Sequence, residues 1–84
     1  MIMLDKTISF NSLQEERKSE IKEIFDTVYD ALEEKGYNPI NQIVGYILSE
    51  DPTYITTFGN ARNLIKHIDR DEFLQILVRK FRDG

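Results

Sequence analysis

The chain has no cysteine, a single histidine, two prolines and four glycines in 84 residues. Without cysteine no disulfide can staple the fold and no thiolate zinc site can form. That composition suits a reducing compartment. One histidine, His67, leaves little scope for acid–base chemistry, because a general base needs a nucleophile or an orienting carboxylate within hydrogen-bond reach. Asp71, four residues on, lies across an expected helix boundary. Neither a glycine-rich phosphate cradle nor a Ser-His-Asp set can be assembled. No apolar run reaches the roughly 20 residues that span a bilayer, and the opening residues lack a signal-peptide pattern. The expectation is a soluble, cytoplasmic protein that is not an enzyme and takes no small-molecule substrate.

What is present is charge, at 31% of residues, with a net value of -4. Its distribution is uneven. Residues 1–58 hold five Lys/Arg and eleven Asp/Glu, a balance of -6; residues 59–84 hold six and four, a balance of +2. An acidic total argues against generic nucleic-acid binding, which depends on neutralising phosphates. A chain of this length buries only a little over ~60% of its unfolded surface and gains much from a partner subunit.

Helical periodicity dominates, and no segment sustains a period of two. Residues 1–11 show no helical period and are expected to form a flexible arm ahead of a single domain at 12–84. Ser12 and Glu15 make a capping-box pattern. Ile21, Ile24, Phe25, Val28 and Leu32 then trace one face of a helix over about 13–35, which Gly36 ends. Asn38-Pro39 starts a second helix, the Asn as cap and the Pro at the first position. It ends near Ser49, since Pro52 disfavours helix at Asp51. Asp51-Pro52 begins a short turn, residues 56–59 read as loop, and Asn60 is positioned to cap a third helix from Ala61 to about Ile68. Asp69 and Glu72 form a second capping box, opening a last helix over about 70–82. Its basic end, Arg79, Lys80 and Arg82, suits the negative end of the helix dipole. The expected fold is an all-α bundle of four to five short helices. Asp69, Asp71 and Glu72 superficially resemble metal ligands, but they lack the loop spacing and glycine of a calcium site. The cap explains them, so neither metal nor cofactor is expected.

The stretch GYNPINQIVGYILS, Gly36 to Ser49, carries no charge. It is too short for a membrane and lacks the acids and bases of a catalytic pocket. Ile40, Ile43, Val44, Ile47 and Leu48 repeat at helical spacing, which predicts a central helix packed on its own domain on one side and on a partner subunit on the other. Gly45 costs about 1 kcal/mol against alanine at mid-helix. Close approach of another helix backbone is the simplest compensation. Tyr37, Tyr46 and Tyr54, in or beside this helix, are residue types that interfaces favour. In the C-terminal third, Arg62, Lys66 and Arg70 are candidate contacts for a partner or a phosphate. They also support an alternative reading as a small helix-turn-helix-like nucleic-acid-binding module.

GYNPINQIVGYILSEDPTYIT, followed by NARNLI and RDE, resembles the IreB family of small regulatory phosphoproteins of low-GC Gram-positive bacteria. The resemblance covers about Asp5 to Phe81. It implies a cytoplasmic helical homodimer, a substrate of a membrane-anchored Ser/Thr kinase and its cognate phosphatase. It also implies a negative regulatory role in cell-wall stress and cephalosporin-resistance signalling, through an unidentified downstream protein. The family's acidic–x–Thr–x–x–Phe pattern matches Asp5-Lys6-Thr7-Ile8-Ser9-Phe10, making Thr7 the implied phosphoacceptor. A second threonine expected about three residues earlier is replaced by Leu4, and Ser9 is a candidate substitute. Where other members often have Ser-Gly-Asp-Pro, this chain has Ser49-Glu50-Asp51-Pro52, a difference expected to affect a turn.

Overall fold

In the computed structural model the chain is all-α. Its helices are α1 (Ile2–Glu34), α2 (Pro39–Ser49), α3 (Ala61–Lys66) and α4 (Arg70–Asp83), with single 3-10 turns at Pro52–Tyr54 and Phe58–Asn60. The structure describes residues 15–84 in full. The expected arm over 1–11, the Ser12 capping box and the candidate positions Thr7 and Ser9 lie outside the described residues. There is no strand among the described residues.

Each helix end has a local cause. Gly36, at φ +85°, takes the left-handed position after α1. Its N–H donates to the Glu33 carbonyl at 3.0 Å and the Tyr37 N–H to the Leu32 carbonyl at 3.0 Å. This is the paired bonding of a Schellman ending. Asn38 caps α2, its side-chain oxygen accepting from the Asn41 N–H at 3.1 Å. At the other end of α2, Glu50 adopts φ +60°, a left-handed conformation without glycine.

Two expectations at the later helices are corrected. Asn60 does not cap α3 with its side chain; it is itself left-handed at φ +63°. Its side-chain oxygen accepts from the Asn63 amide instead. Before it, the segment read as loop closes a 3-10 turn at Phe58–Asn60, with Gly59 left-handed. Asp69 does cap α4, accepting from the Asp71 N–H at 3.1 Å. Glu72, however, pairs with Arg17 of α1 at 3.3 Å, so only half of the expected capping box carries a cap.

The core lies where α1 meets α2 and α3. Leu32, Ile55, Ile65 and Val28 are fully buried, with Ile21, Ala31, Ile43, Tyr46, Ala61, Ile68 and Phe73 around them. Burying each large aliphatic side chain is worth about 1.5–3 kcal/mol. Ile55 belongs to no helix: the connection after α2 drives it inward. α4 attaches by little, with Phe73 its only buried residue. The Phe73 ring meets Phe25 of α1 at 5.6 Å between centroids.

Candidate functional site

The six residues singled out on α2 divide between two surroundings. Ile43 is buried in the domain's own core and Ile47 is packed against it, half-buried. Ile40, Val44 and Leu48, spaced four apart, form a stripe on the outer face, and Leu48 is 80% exposed. One face of α2 therefore holds the domain together, and the other presents uncharged apolar surface to solvent. Of the tyrosines, Tyr46 is buried, whereas Tyr37 and Tyr54 lie largely at the surface.

Gly45 is accounted for within the chain, which corrects the expectation of a neighbouring helix backbone. The Tyr54 ring lies across it: a Cβ built there would stand 2.6 Å from Tyr54 Cδ1 and in still closer contact with Cε1. Tyr54 is brought there by the turn after α2. The Asp51 Oδ1 accepts from the Thr53 N–H at 3.0 Å and from its hydroxyl at 2.7 Å. The Thr53 hydroxyl, then its backbone N–H, hold the Asp51 carboxyl below its ordinary pKa; slight desolvation opposes them and Arg62 adds a smaller lowering effect. Gln42 of α2 donates to the Tyr54 carbonyl at 2.8 Å. The turn is thus tied back onto the helix it follows.

Arg62, Lys66 and Arg70 do not converge into one cationic face. Arg62 Nε donates to the Ile55 carbonyl at 2.8 Å, pinning the segment that inserts Ile55 into the core. Arg70 donates from Nη1 to the Ile47 carbonyl at 3.0 Å, and its Nη2 meets Glu50 Oε1 at 2.8 Å. It therefore satisfies a carbonyl that the end of α2 leaves open. Only Lys66 stands exposed. This arrangement gives the helix-turn-helix-like reading no support, because two of its three cations are turned to carbonyls of their own chain. His67 is also exposed, with Nδ1 2.8 Å from the Asn63 carbonyl one helical turn back.

An apolar seam on α4 escaped the sequence reading as a surface. Glu72, Phe73 and Ile76 face the body of the domain, through Arg17, Phe25 and a shallow cleft beside Lys18. Leu74, Leu77, Val78 and Phe81 lie on another side, and Phe81 is 92% exposed. The signal was present in their i, i+3, i+4, i+7 spacing, but periodicity alone does not say whether such a face is covered. The cleft itself is lined by Lys18, Ile76, Arg79, Lys80, Asp83 and Gly84. It lies at the carbonyl end of α4, where the helix dipole disfavours an anion.

Among the described residues, no three His, Asp or Glu side chains gather as a metal site. No helix there is long and apolar enough to cross a membrane. In comparison with known families, the model of the IreB regulatory phosphoproteins matches residues 5–83.

Proposed function

Because the chain belongs to the IreB family of regulatory phosphoproteins, we propose that it is a non-enzymatic regulator. In this reading it works as a cytoplasmic homodimer and is phosphorylated on Thr7 by a membrane-anchored Ser/Thr kinase. A cognate phosphatase reverses the modification. The output is negative control in cell-wall stress and cephalosporin-resistance signalling, through a downstream protein. The family match over residues 5–83 is the observation that carries the reading.

The surface chemistry supports it in two ways. The exposed stripe Ile40, Val44 and Leu48 is apolar surface of the kind that a partner subunit covers. The start of the described part of α1 is acidic and exposed, with Glu15, Glu16 and Glu20. A phosphate upstream of them adds about -1.5 to -2 charge at neutral pH. It adds to the negative charge of the N-terminal half of the chain and alters which partners dock.

The deciding experiment is incubation of the chain with the cognate kinase, followed by peptide mass mapping. One phosphate on Thr7, absent from Thr7→Ala, is the expected result. A phosphate mapped elsewhere overturns the Thr7 assignment. No incorporation overturns the kinase-substrate reading.

A further inference from the structure

We infer that the cleft between α1 and the end of α4 receives the phosphate carried by this chain's own Thr7 segment, through Lys18, Arg79 and Lys80. This rests on Thr7 as the phosphoacceptor and gives the modification a place to act.

The three cations gather with nothing in the domain to account for them. Lys18 of α1 lines the cleft with Arg79 and Lys80 of α4, and all three are exposed. Among the described residues the ion pairs are Arg17 with Glu72, Lys22 with Asp26 and Arg70 with Glu50. None of these pairs uses a cation of the cleft. Asp83 is the one acidic side chain in the lining, and the end of α4 adds about half a negative charge. Even with a carboxylate at Gly84 counted, the three cations leave the balance positive. A phosphate fits this set better than a carboxylate does. It carries about -1.5 to -2 charge at neutral pH and three acceptor oxygens. The Arg79 guanidinium can donate to two oxygens at once, while the lysines act as point charges.

Position selects the occupant. From Phe73 on Phe25 to the cleft at Lys18, α4 runs towards the beginning of the described part of α1. Its basic end therefore lies on the side where the chain arrives from Thr7. Thr7 and Lys18 are eleven residues apart, about 16 Å at helical rise and up to ~36 Å if extended. A short tether of this kind holds its phosphate at an effective concentration on the order of millimolar, so modest affinity is enough. The consequence falls on α4. Its attachments to the domain lie in its first half: Arg70 to Ile47 and Glu50, Glu72 to Arg17, and Phe73 to Phe25. A phosphate among Lys18, Arg79 and Lys80 adds an attachment at the other end and fixes the helix along its length.

The test installs phosphothreonine at position 7 of the full chain during synthesis, so it depends on no kinase. Phosphorus NMR follows the second ionisation of the phosphate, ordinarily near pH 6. Cations at hydrogen-bond distance favour the dianion and lower that midpoint. A free peptide of residues 1–14 bearing the same phosphothreonine is the reference. The full chain is expected to titrate at least ~0.5 pH unit below the peptide, with amide resonances of Lys18, Arg79 and Lys80 displaced by the modification. Lys18→Gln, Arg79→Gln and Lys80→Gln together should return the midpoint to the peptide value. Lys22→Gln, Lys35→Gln and Lys66→Gln together remove the same charge elsewhere and should leave it low. A full-chain midpoint equal to that of the peptide overturns the cleft as receptor. So does a lowered midpoint that survives loss of the three cleft cations, or one that the control set abolishes equally. A kinase that modifies a residue other than Thr7 overturns the phosphoacceptor reading, and the titration still decides the cleft.

Discussion

Replacing Gly45 with alanine sets two opposed effects against each other at one carbon atom. By helix propensity alone, alanine at mid-helix is worth about 1 kcal/mol over glycine. By packing, the new Cβ stands 2.6 Å from Tyr54 Cδ1 and 3.1 Å from Cζ, far inside contact distance. The ring has to leave. Its backbone stays tied by the bond from Gln42 to the Tyr54 carbonyl, so the adjustment falls on the side chain, which surrenders its contact with α2. Overpacking of this kind costs about 1–3 kcal/mol. The net expectation for Gly45→Ala is a loss between about 0 and 2 kcal/mol. In a Tyr54→Ala background the clash is gone, and the same substitution should stabilise by about 1 kcal/mol. The coupling between the two positions is then about 1–3 kcal/mol. Urea unfolding followed by circular dichroism, at one protein concentration for all four chains, measures it. In thermal melts a difference of 1 kcal/mol appears as roughly 4–8 °C at this size. A gain of about 1 kcal/mol from Gly45→Ala with Tyr54 present would refute the reasoning, since it would mean the ring does not depend on the glycine.

Four further outcomes are expected. Glu50→Gly relieves a left-handed residue, worth about 1–2 kcal/mol, and gives up an exposed ion pair to Arg70 worth about 0.2–1 kcal/mol; a rise in stability of up to about 2 kcal/mol is expected, and a fall would show that φ +60° at Glu50 is not strained. Arg70→Gln removes the fork joining α4 to the end of α2 and should cost about 1–2 kcal/mol in urea unfolding, with Arg70→Lys recovering only part because an ammonium lacks the fork; unchanged stability for both rejects that role. Val44→Asp places a charge on the exposed stripe of α2, so the chain should keep its helicity while the affinity of the proposed dimer falls at least tenfold in sedimentation, and an unaltered dimer excludes this stripe from the interface. Asp51 has its pKa lowered, chiefly by the Thr53 hydroxyl. Its contribution is therefore complete above the ordinary carboxylate value of about 4 and is lost as pH falls through the lower folded value. An NMR titration of its carboxyl carbon should have a midpoint below about 3.9, and a midpoint at or above that figure contradicts the turn geometry.

Glu50 shows how a local departure from a family pattern acquires meaning from structure. In sequence, glutamate for glycine before Asp51-Pro52 reads as a change in a turn. The structure shows that the residue after α2 is left-handed, the conformation in which glycine carries no Cβ penalty. Glu50 also makes a contact that glycine could not, through its carboxylate to Arg70. Arg62 and Arg70 teach the converse. Their charge and spacing suggested an outward cationic face, yet both are half-buried and turned to backbone carbonyls. Nothing in one-dimensional spacing distinguishes a cation waiting for a ligand from one that closes a helix end, because the carbonyls it serves lie seven and twenty-three residues away.

The sequence by itself determined the all-α class, the C-terminal end of α1, both ends of α2, the cap of α4 and most of the core positions on α1. These depend on short-range rules: period 3.6, an Asn-Pro start, a glycine stop, an aspartate cap. Only the tertiary structure decided that Ile55 enters the core from outside any helix, that the ring over Gly45 belongs to Tyr54, and that α2 and α4 each leave an apolar face open. Those facts depend on which segments meet after the chain folds back, and an amphipathic pattern records that a face is apolar without recording what, if anything, covers it.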